Sequence, residues 1–118
     1  MALNTKEIEK LIDGEVDTSK KAKDFYSHDA SMFELRPEAV VFPANSEDIQ
    51  KLVKYADENK AKNPDISITA RSGGTCMSGG AINESIIIDM TKHFNNIEEV
   101  DSKSARVQPG VYYRNFEA

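Results

Sequence analysis

Four of the chain's six glycines, Gly73, Gly74, Gly79 and Gly80, fall inside one stretch, Ile66 to Ala81, where a short alternating run empties into a glycine-rich loop. Glycine takes positive φ without penalty and lets another group come close to the main chain. Glycines concentrated after a strand therefore shape a backbone around something else. Thr75 and Ser78 add hydroxyl donors, and Arg71 adds the one fixed positive charge of the stretch. A diphosphate, whose oxygens take several N–H and O–H donors at once, suits that combination. Local composition fits a tight turn with a bulge equally well.

Two familiar phosphate loops are excluded by sequence. A Walker loop needs Lys and then Ser or Thr after its last glycine; Gly74 to Gly79 has the interval, but Gly80 and Ala81 follow. The Rossmann fingerprint needs G-x-G-x-x-G opening a helix, whereas Gly73 and Gly74 are adjacent and Ala81 to Ile88 runs into another strand. The loop reads as a strand-to-strand cradle.

The elements around it follow from periodicity and caps. Asn4 with Glu7 three residues on predicts a helix start, with Ile8, Leu11 and Ile12 as its apolar face, ending near Asp13-Gly14. Asp17, Thr18 and Ser19 can start a second short helix over Lys20 to Phe25, within an irregular arm anchored by Tyr26, Phe33 and Leu35. Val40, Val41 and Phe42, bracketed by Pro37 and Pro43, predict a strand. Asn45 or Ser46 then caps a helix with Glu47 and Asp48 in its first turn. Ile49, Leu52, Val53 and Ala56 recur at helical spacing and form its buried stripe, and Pro64 prevents continuation past Asn63.

In the next strand Ile66, Ile68 and Ala70 are the expected buried face and Ser67, Thr69 and Arg71 the wet one. Strand, helix, strand is a crossover unit, so the strands at 40–42 and 66–70 are expected to be parallel neighbours. Ile86 to Asp89 predicts a strand covered on both faces. Residues 97–101 and 105–107 predict a hairpin, and Val111 to Ala118 the beginning of a helix.

With 118 residues, 39% hydrophobic and 30% charged, the chain is one soluble domain's worth of sequence. No apolar run reaches membrane-spanning length, and no basic region followed by an apolar one opens the chain. The formal charge of −5 argues against nucleic acid as a partner. The single cysteine, Cys76, excludes an intrachain disulfide and makes a reducing, cytoplasmic setting the expectation.

From about Tyr26 onward the chain resembles the N-terminal part of the FAD-binding domain of the vanillyl-alcohol oxidase and p-cresol methylhydroxylase type flavoproteins, in particular the D-lactate, glycolate and D-2-hydroxyglutarate dehydrogenase branch. The likeness rests on Tyr26 and Asp29 before Pro37, the strand Val40 to Pro43 and its helix, Arg71-Ser-Gly-Gly-Thr75 with Ser78-Gly79-Gly80, Ile86 to Asp89, and Val107-Gln-Pro-Gly110. It implies an α/β (α+β) fold, a small mixed sheet with helices packed on it. Residues 1–35 would be an N-terminal helix and irregular arm, and residues 36–118 a partial FAD-binding domain, truncated before its second subdomain and cap domain.

The resemblance further implies that the loop wraps the FAD pyrophosphate. Ser72, Gly73, Gly74, Thr75 and Cys76 would give main-chain and hydroxyl contacts, Ser78 and Gly79 would close the cradle, and Arg71 would neutralise phosphate charge. Pro43 would line the cofactor near the preceding strand, and Pro109-Gly110 would sit at its edge. Covalently flavinylated relatives often carry His after the paired glycines; Thr75 stands there, so FAD is expected to be non-covalent. Ser72 replaces a common glycine and Cys76 a common serine, both small. The parent protein would oxidise a D-2-hydroxy acid with a base outside this sequence, so no residue here is assigned to catalysis. Its partners would be FAD and the remaining subdomain and cap, and the unfinished edge could pair with a second copy. Two alternatives stay open: a non-enzymatic module gripping another anion or a protein carboxylate, and one chain of a split flavoenzyme.

Several residues invite bland readings. Cys76 has no histidine near it in sequence and reads as a serine substitute. His28 and His93 are isolated, which argues against a metal site. Asp29 fits a loop-orienting hydrogen bond or an exposed Asx-turn, and Arg71 fits a pair with Glu84 or Asp89 as well as a phosphate contact.

Overall fold

In a computed structural model, which describes residues 3–112, the chain forms three helices, a four-stranded sheet and a separate hairpin. The elements are α1 (Thr5–Leu11), β1 (Glu15–Asp17), α2 (Lys20–Phe25), β2 (Ala39–Phe42), α3 (Ser46–Asn59), β3 (Ile68–Arg71), β4 (Ile86–Asp89), β5 (Ile97–Val100) and β6 (Ala105–Val107). The sheet runs β1-β2-β4-β3, with β2 and β3 both parallel to β4 and β1 antiparallel to β2.

This order corrects one expectation: β2 and β3 are parallel but not neighbours, because β4 lies between them. Ile86, Ile87 and Ile88 are all buried, so the strand that is apolar on both faces takes the centre. The half-exposed β3 takes the edge. The two faces of β2 and β4 then divide cleanly. Val41, Ile86 and Ile88 pack with Ile8 of α1 and Leu52 of α3, while Val40 and Ile87 pack with Ala22 of α2. The sheet is thus the middle of three layers.

The caps follow the sequence. Asn4 accepts from the Glu7 N–H at 3.3 Å, Ser19 from Ala22 at 3.1 Å and Asn45 from Asp48 at 2.9 Å. Asp48 does more than complement a helix dipole. It is fully buried, and its carboxylate accepts from the N–H groups of Asp13, Gly14 and Ala44, each at 2.9 Å, tying α3 to the turn after α1 and the exit of β2. Burial pushes its carboxyl upward, but these three bonds outweigh that and hold it below the ordinary aspartate value.

α1 ends at Leu11 with its C-cap at Ile12, next to Asp13-Gly14 as expected, but other expectations give way. The stretch expected as irregular contains β1, a three-residue edge strand with one apolar residue, Val16, too short to show a period. Of the three aromatic and apolar anchors only Tyr26 is buried; Phe33 and Leu35 are exposed. In α3, Val53 faces solvent and the buried stripe is carried by Leu52 with Ile49, Tyr55 and Ala56 partly covered. At the end of β3 the buried residue is Arg71 and the exposed one Ala70, because the rings of Tyr26 and Phe25 cover the arginine. The helix expected from Val111 falls mostly outside the described residues.

Candidate functional site

Because β2, β3 and β4 run in one direction, Phe42, Arg71 and Asp89 end at the same edge of the sheet, where open α/β sheets hold ligands. The glycine loop leaves from that edge. It opens a hollow of about 300 Å3, lined by Ala70 through Cys76 with Gly80 and Ala81. Gly74 (φ 69°) and Gly79 (φ 81°) take the left-handed conformation that side-chain-bearing residues avoid.

The loop's own donors are spare. Among the described residues, no main-chain N–H from Ser72 to Gly79 has a hydrogen-bond partner, and neither do the hydroxyls of Thr75 and Ser78. The first paired amides lie beyond, where Gly80 donates to Cys76 Sγ at 3.3 Å and Ala81 to Asp29 Oδ2 at 3.4 Å. A loop that leaves so many consecutive donors unpaired is open to an acceptor from outside.

Arg71 lies beneath it. The side chain is buried, donates from Nη1 to the His28 carbonyl at 2.7 Å and stacks over the Tyr26 ring with its guanidinium carbon 4.9 Å from the centroid. A Cβ on Gly74 would stand 2.4 Å from Arg71 Nη2, so the absence of a side chain at 74 lets the backbone rest on the guanidinium. Neither Glu84 nor Asp89 pairs with it, and among the described residues no carboxylate lies within ion-pair distance. Asp89 is engaged elsewhere: it accepts from the Tyr26 hydroxyl and from Thr91, N–H at 2.7 Å and Oγ1 at 2.6 Å. Burial, with the Asp89 bond adding to it, pushes the Tyr26 phenol well above its ordinary value. Arg71 has no direct ion pair, and Asp29 is the carboxylate that feels its charge, so the guanidinium retains capacity for an incoming anion.

The anticipated site residues are therefore not all brought together. Arg71, Ser72, Gly73, Gly74, Thr75 and Cys76 line the hollow, and Ser78 and Gly79 lie in the same loop outside its lining. Pro43 is fully buried just past β2. Gly110 is buried past the end of β4, where a Cβ would stand 1.9 Å from the Met90 carbonyl oxygen. Cys76 makes its contact within the loop, with Gly80. His28 lies 3.6 Å from Glu34, and His93 lies 2.8 Å from Glu15. Among the described residues no cluster of His, Cys, Asp and Glu could hold a metal ion, and no helix is long and apolar enough to cross a membrane. Sequence reasoning missed Tyr112, which lies over Gly73; a Cβ there would meet its Cε1 at 3.1 Å.

A family model described as the FAD binding domain matches residues 37–118. The chain belongs to the FAD-binding domain family. Over 100 residues it is 35% identical to D-2-hydroxyglutarate dehydrogenase of Escherichia coli (strain K12), an alignment covering 83% of this chain and 10% of that protein. Among solved structures, 6-hydroxy-D-nicotine oxidase from Arthrobacter nicotinovorans superposes with a TM-score of 0.67 at 29% identity, over 85% of this chain and 22% of that one. p-Cresol methylhydroxylase superposes with a TM-score of 0.69 at 21% identity, over 95% and 22%, a likeness of fold. The chain thus spans about a tenth of the length of the curated relatives it matches.

The mixed α/β fold is that of this family, and FAD is the cofactor it takes. The residues present fit the diphosphate part of such a group: two positive-φ glycines, loop donors unpaired among the described residues and an arginine with no direct ion pair share one edge of the sheet.

Proposed function

We propose that the 71–80 loop holds the FAD pyrophosphate non-covalently, and that residues 36–118 are part of the FAD-binding domain of a cytoplasmic dehydrogenase acting on a D-2-hydroxy acid, with residues 1–35 as a helix and arm before it. The observation that carries the reading is that, among the described residues, the N–H groups from Ser72 to Gly79 have no partner and the buried Arg71 beside them has no carboxylate within ion-pair distance. Ser72, Gly73, Gly74, Thr75, Cys76, Ser78 and Gly79 supply donors, and Arg71 supplies the charge. Pro43 lines the cofactor near the end of β2, and Gly110 sits at its edge. Thr75 after the paired glycines has no ring nitrogen to bond a flavin. FAD, when bound, supplies the hydride acceptor; the base for the substrate's hydroxyl proton lies outside these residues. The substrate class rests on the relatives named D-2-hydroxyglutarate dehydrogenase.

Three or four loop donors at ~1.5 to 3 kcal/mol each give a gross ~5 to 12 kcal/mol. Association costs ~4 to 15 kcal/mol, so this half-site alone binds its anion weakly and retention of FAD through purification needs the other half. The hairpin β5–β6 supports the same view. Ile97, Val100 and Val107 are exposed on it, and a two-stranded hairpin is marginal without a covering layer. The second FAD subdomain and cap of the same protein are the proposed cover.

The whole protein is expected to purify with flavin that acid precipitation releases into the supernatant, and a D-2-hydroxy acid is expected to bleach its visible absorbance in the absence of oxygen. The 118-residue chain alone is expected to purify colourless. Flavin that stays in the acid pellet overturns non-covalent binding. Flavin that D-2-hydroxyglutarate, D-lactate and glycolate all fail to bleach overturns the substrate class.

A further inference from the structure

The loop is fastened at both ends to one short segment that is distant in sequence. At its start, Arg71 donates to the His28 carbonyl at 2.7 Å and lies over the Tyr26 ring. At its end, the Ala81 N–H donates to Asp29 Oδ2 at 3.4 Å, while Asp29 Oδ1 accepts from the Ser31 N–H at 2.8 Å. Phe33 continues the contact: a Cβ on Gly79 would stand 3.2 Å from its Cδ2. Tyr26 is itself held by its hydroxyl bond to Asp89 at the end of β4. Between the two fastenings the amides of residues 72–79 have no partner among the described residues. Within the loop the only hydrogen bond among the described residues is the 3.3 Å contact of Gly80 with Cys76 Sγ, so the fastenings carry much of its curvature.

We propose that Tyr26, His28 and Asp29 form a clasp that sets the curvature of the loop for its anion, with Asp29 as the positioning residue that closes the far end. The inference rests on the reading of the loop as a diphosphate site.

The sign of one charge makes it decidable. Asp29 is held in its ionised form, chiefly by its bonds with Ser31, with the Ala81 N–H and the nearby Arg71 charge contributing. A negative charge beside an anion site weakens binding by simple Coulomb repulsion. If Asp29 acted through its charge alone, removing it would tighten the complex. If it acts by holding Ala81, removing it weakens the complex, because a loop that must be ordered on binding loses affinity.

The test is titration of inorganic pyrophosphate into the 118-residue chain, followed by amide chemical shifts, for wild type, Asp29→Ala and Asp29→Asn. Loss of one hydrogen bond's worth of order corresponds to about five- to tenfold weaker binding for Asp29→Ala. Asp29→Asn retains one acceptor oxygen and is expected to fall between. Amide hydrogen exchange in the anion-free chain is expected to speed up at residues 72–80 in Asp29→Ala and to stay unchanged in β2 and β4, which separates a loosened loop from a loosened fold. Pyrophosphate binding that is equal or tighter in Asp29→Ala, with wild type binding normally, overturns the clasp and leaves the diphosphate site standing. Failure of wild type itself to bind pyrophosphate at the loop overturns both.

Discussion

The Tyr26 hydroxyl donates to the Asp89 carboxylate at the carboxyl end of β4, joining the helix-bearing arm to the central strand at the edge where the glycine loop emerges. The same ring carries the Arg71 guanidinium on its face, so one tyrosine serves the fold through its oxygen and the site through its π-system.

Replacing Tyr26 with Phe removes the oxygen and leaves the ring. Asp89 keeps its two bonds from Thr91, so the expected cost is about 1 to 3 kcal/mol in denaturant unfolding. The phenol's raised value gives the pH dependence its sign: wild type holds this stability below the unfolded tyrosine value of about 10 and loses it as pH rises above that. Tyr26→Phe has no such group, so the stability gap between the two proteins is expected to narrow with alkalinity. A gap that is constant between neutral pH and strong alkali contradicts the assignment.

Asp48 is the acid counterpart. Three main-chain N–H groups lose their acceptor in Asp48→Ala, and the expected destabilisation is about 2 to 4 kcal/mol. Its carboxyl is lowered in the fold, so its contribution is present above the unfolded aspartate value of about 3.9 and disappears as pH falls through the folded value. Acid unfolding followed by circular dichroism is expected to show less pH dependence below about pH 4 in Asp48→Asn than in wild type. Identical acid transitions would show that the carboxylate is not held as described.

The glycines separate into structural and site roles. At Gly110 a methyl group meets backbone on two sides, the Met90 carbonyl at 1.9 Å and the Phe94 carbonyl oxygen at 2.5 Å, so Gly110→Ala is expected to cost about 3 kcal/mol or more. At Gly74 the obstacle is the flexible tip of Arg71, and the left-handed φ adds ~1 to 2 kcal/mol. Gly74→Ala is therefore expected to lower Tm modestly but to weaken pyrophosphate binding markedly, since it displaces the guanidinium. The reverse ranking, with Gly74→Ala less stable than Gly110→Ala, would contradict this division.

Much of this was legible in the chain itself. The cap at Asn4, the helix starts within Asp17 to Ser19 and at Asn45 or Ser46, the doubly buried Ile86–Ile88 and the glycine loop leaving a strand all follow from local pattern; the structure selects Ser19 and Asn45 as the caps. What was not legible depends on partners far away in sequence. The burial of Arg71 in place of Ala70 requires the aromatic rings of residues 25 and 26, and no period within β3 can announce them. Strand order required knowing that β4, the most apolar strand, takes the centre ahead of the simple crossover between β2 and β3. Val53 illustrates a third limit: a helical stripe wider than the covering surface leaves its outer member wet.

The central claim is that the amides of residues 72–79 receive a diphosphate. Chemical-shift titration of the 118-residue chain with FAD, inorganic pyrophosphate and riboflavin tests it most directly, because riboflavin carries the ring system without the phosphates. Saturable shifts at Ser72 to Gly79 with FAD and with pyrophosphate, and none there with riboflavin, are the expected result. Shifts that riboflavin reproduces, or that gather instead around the opposite hollow lined by Glu38, Asn83 and Ser85, would contradict it.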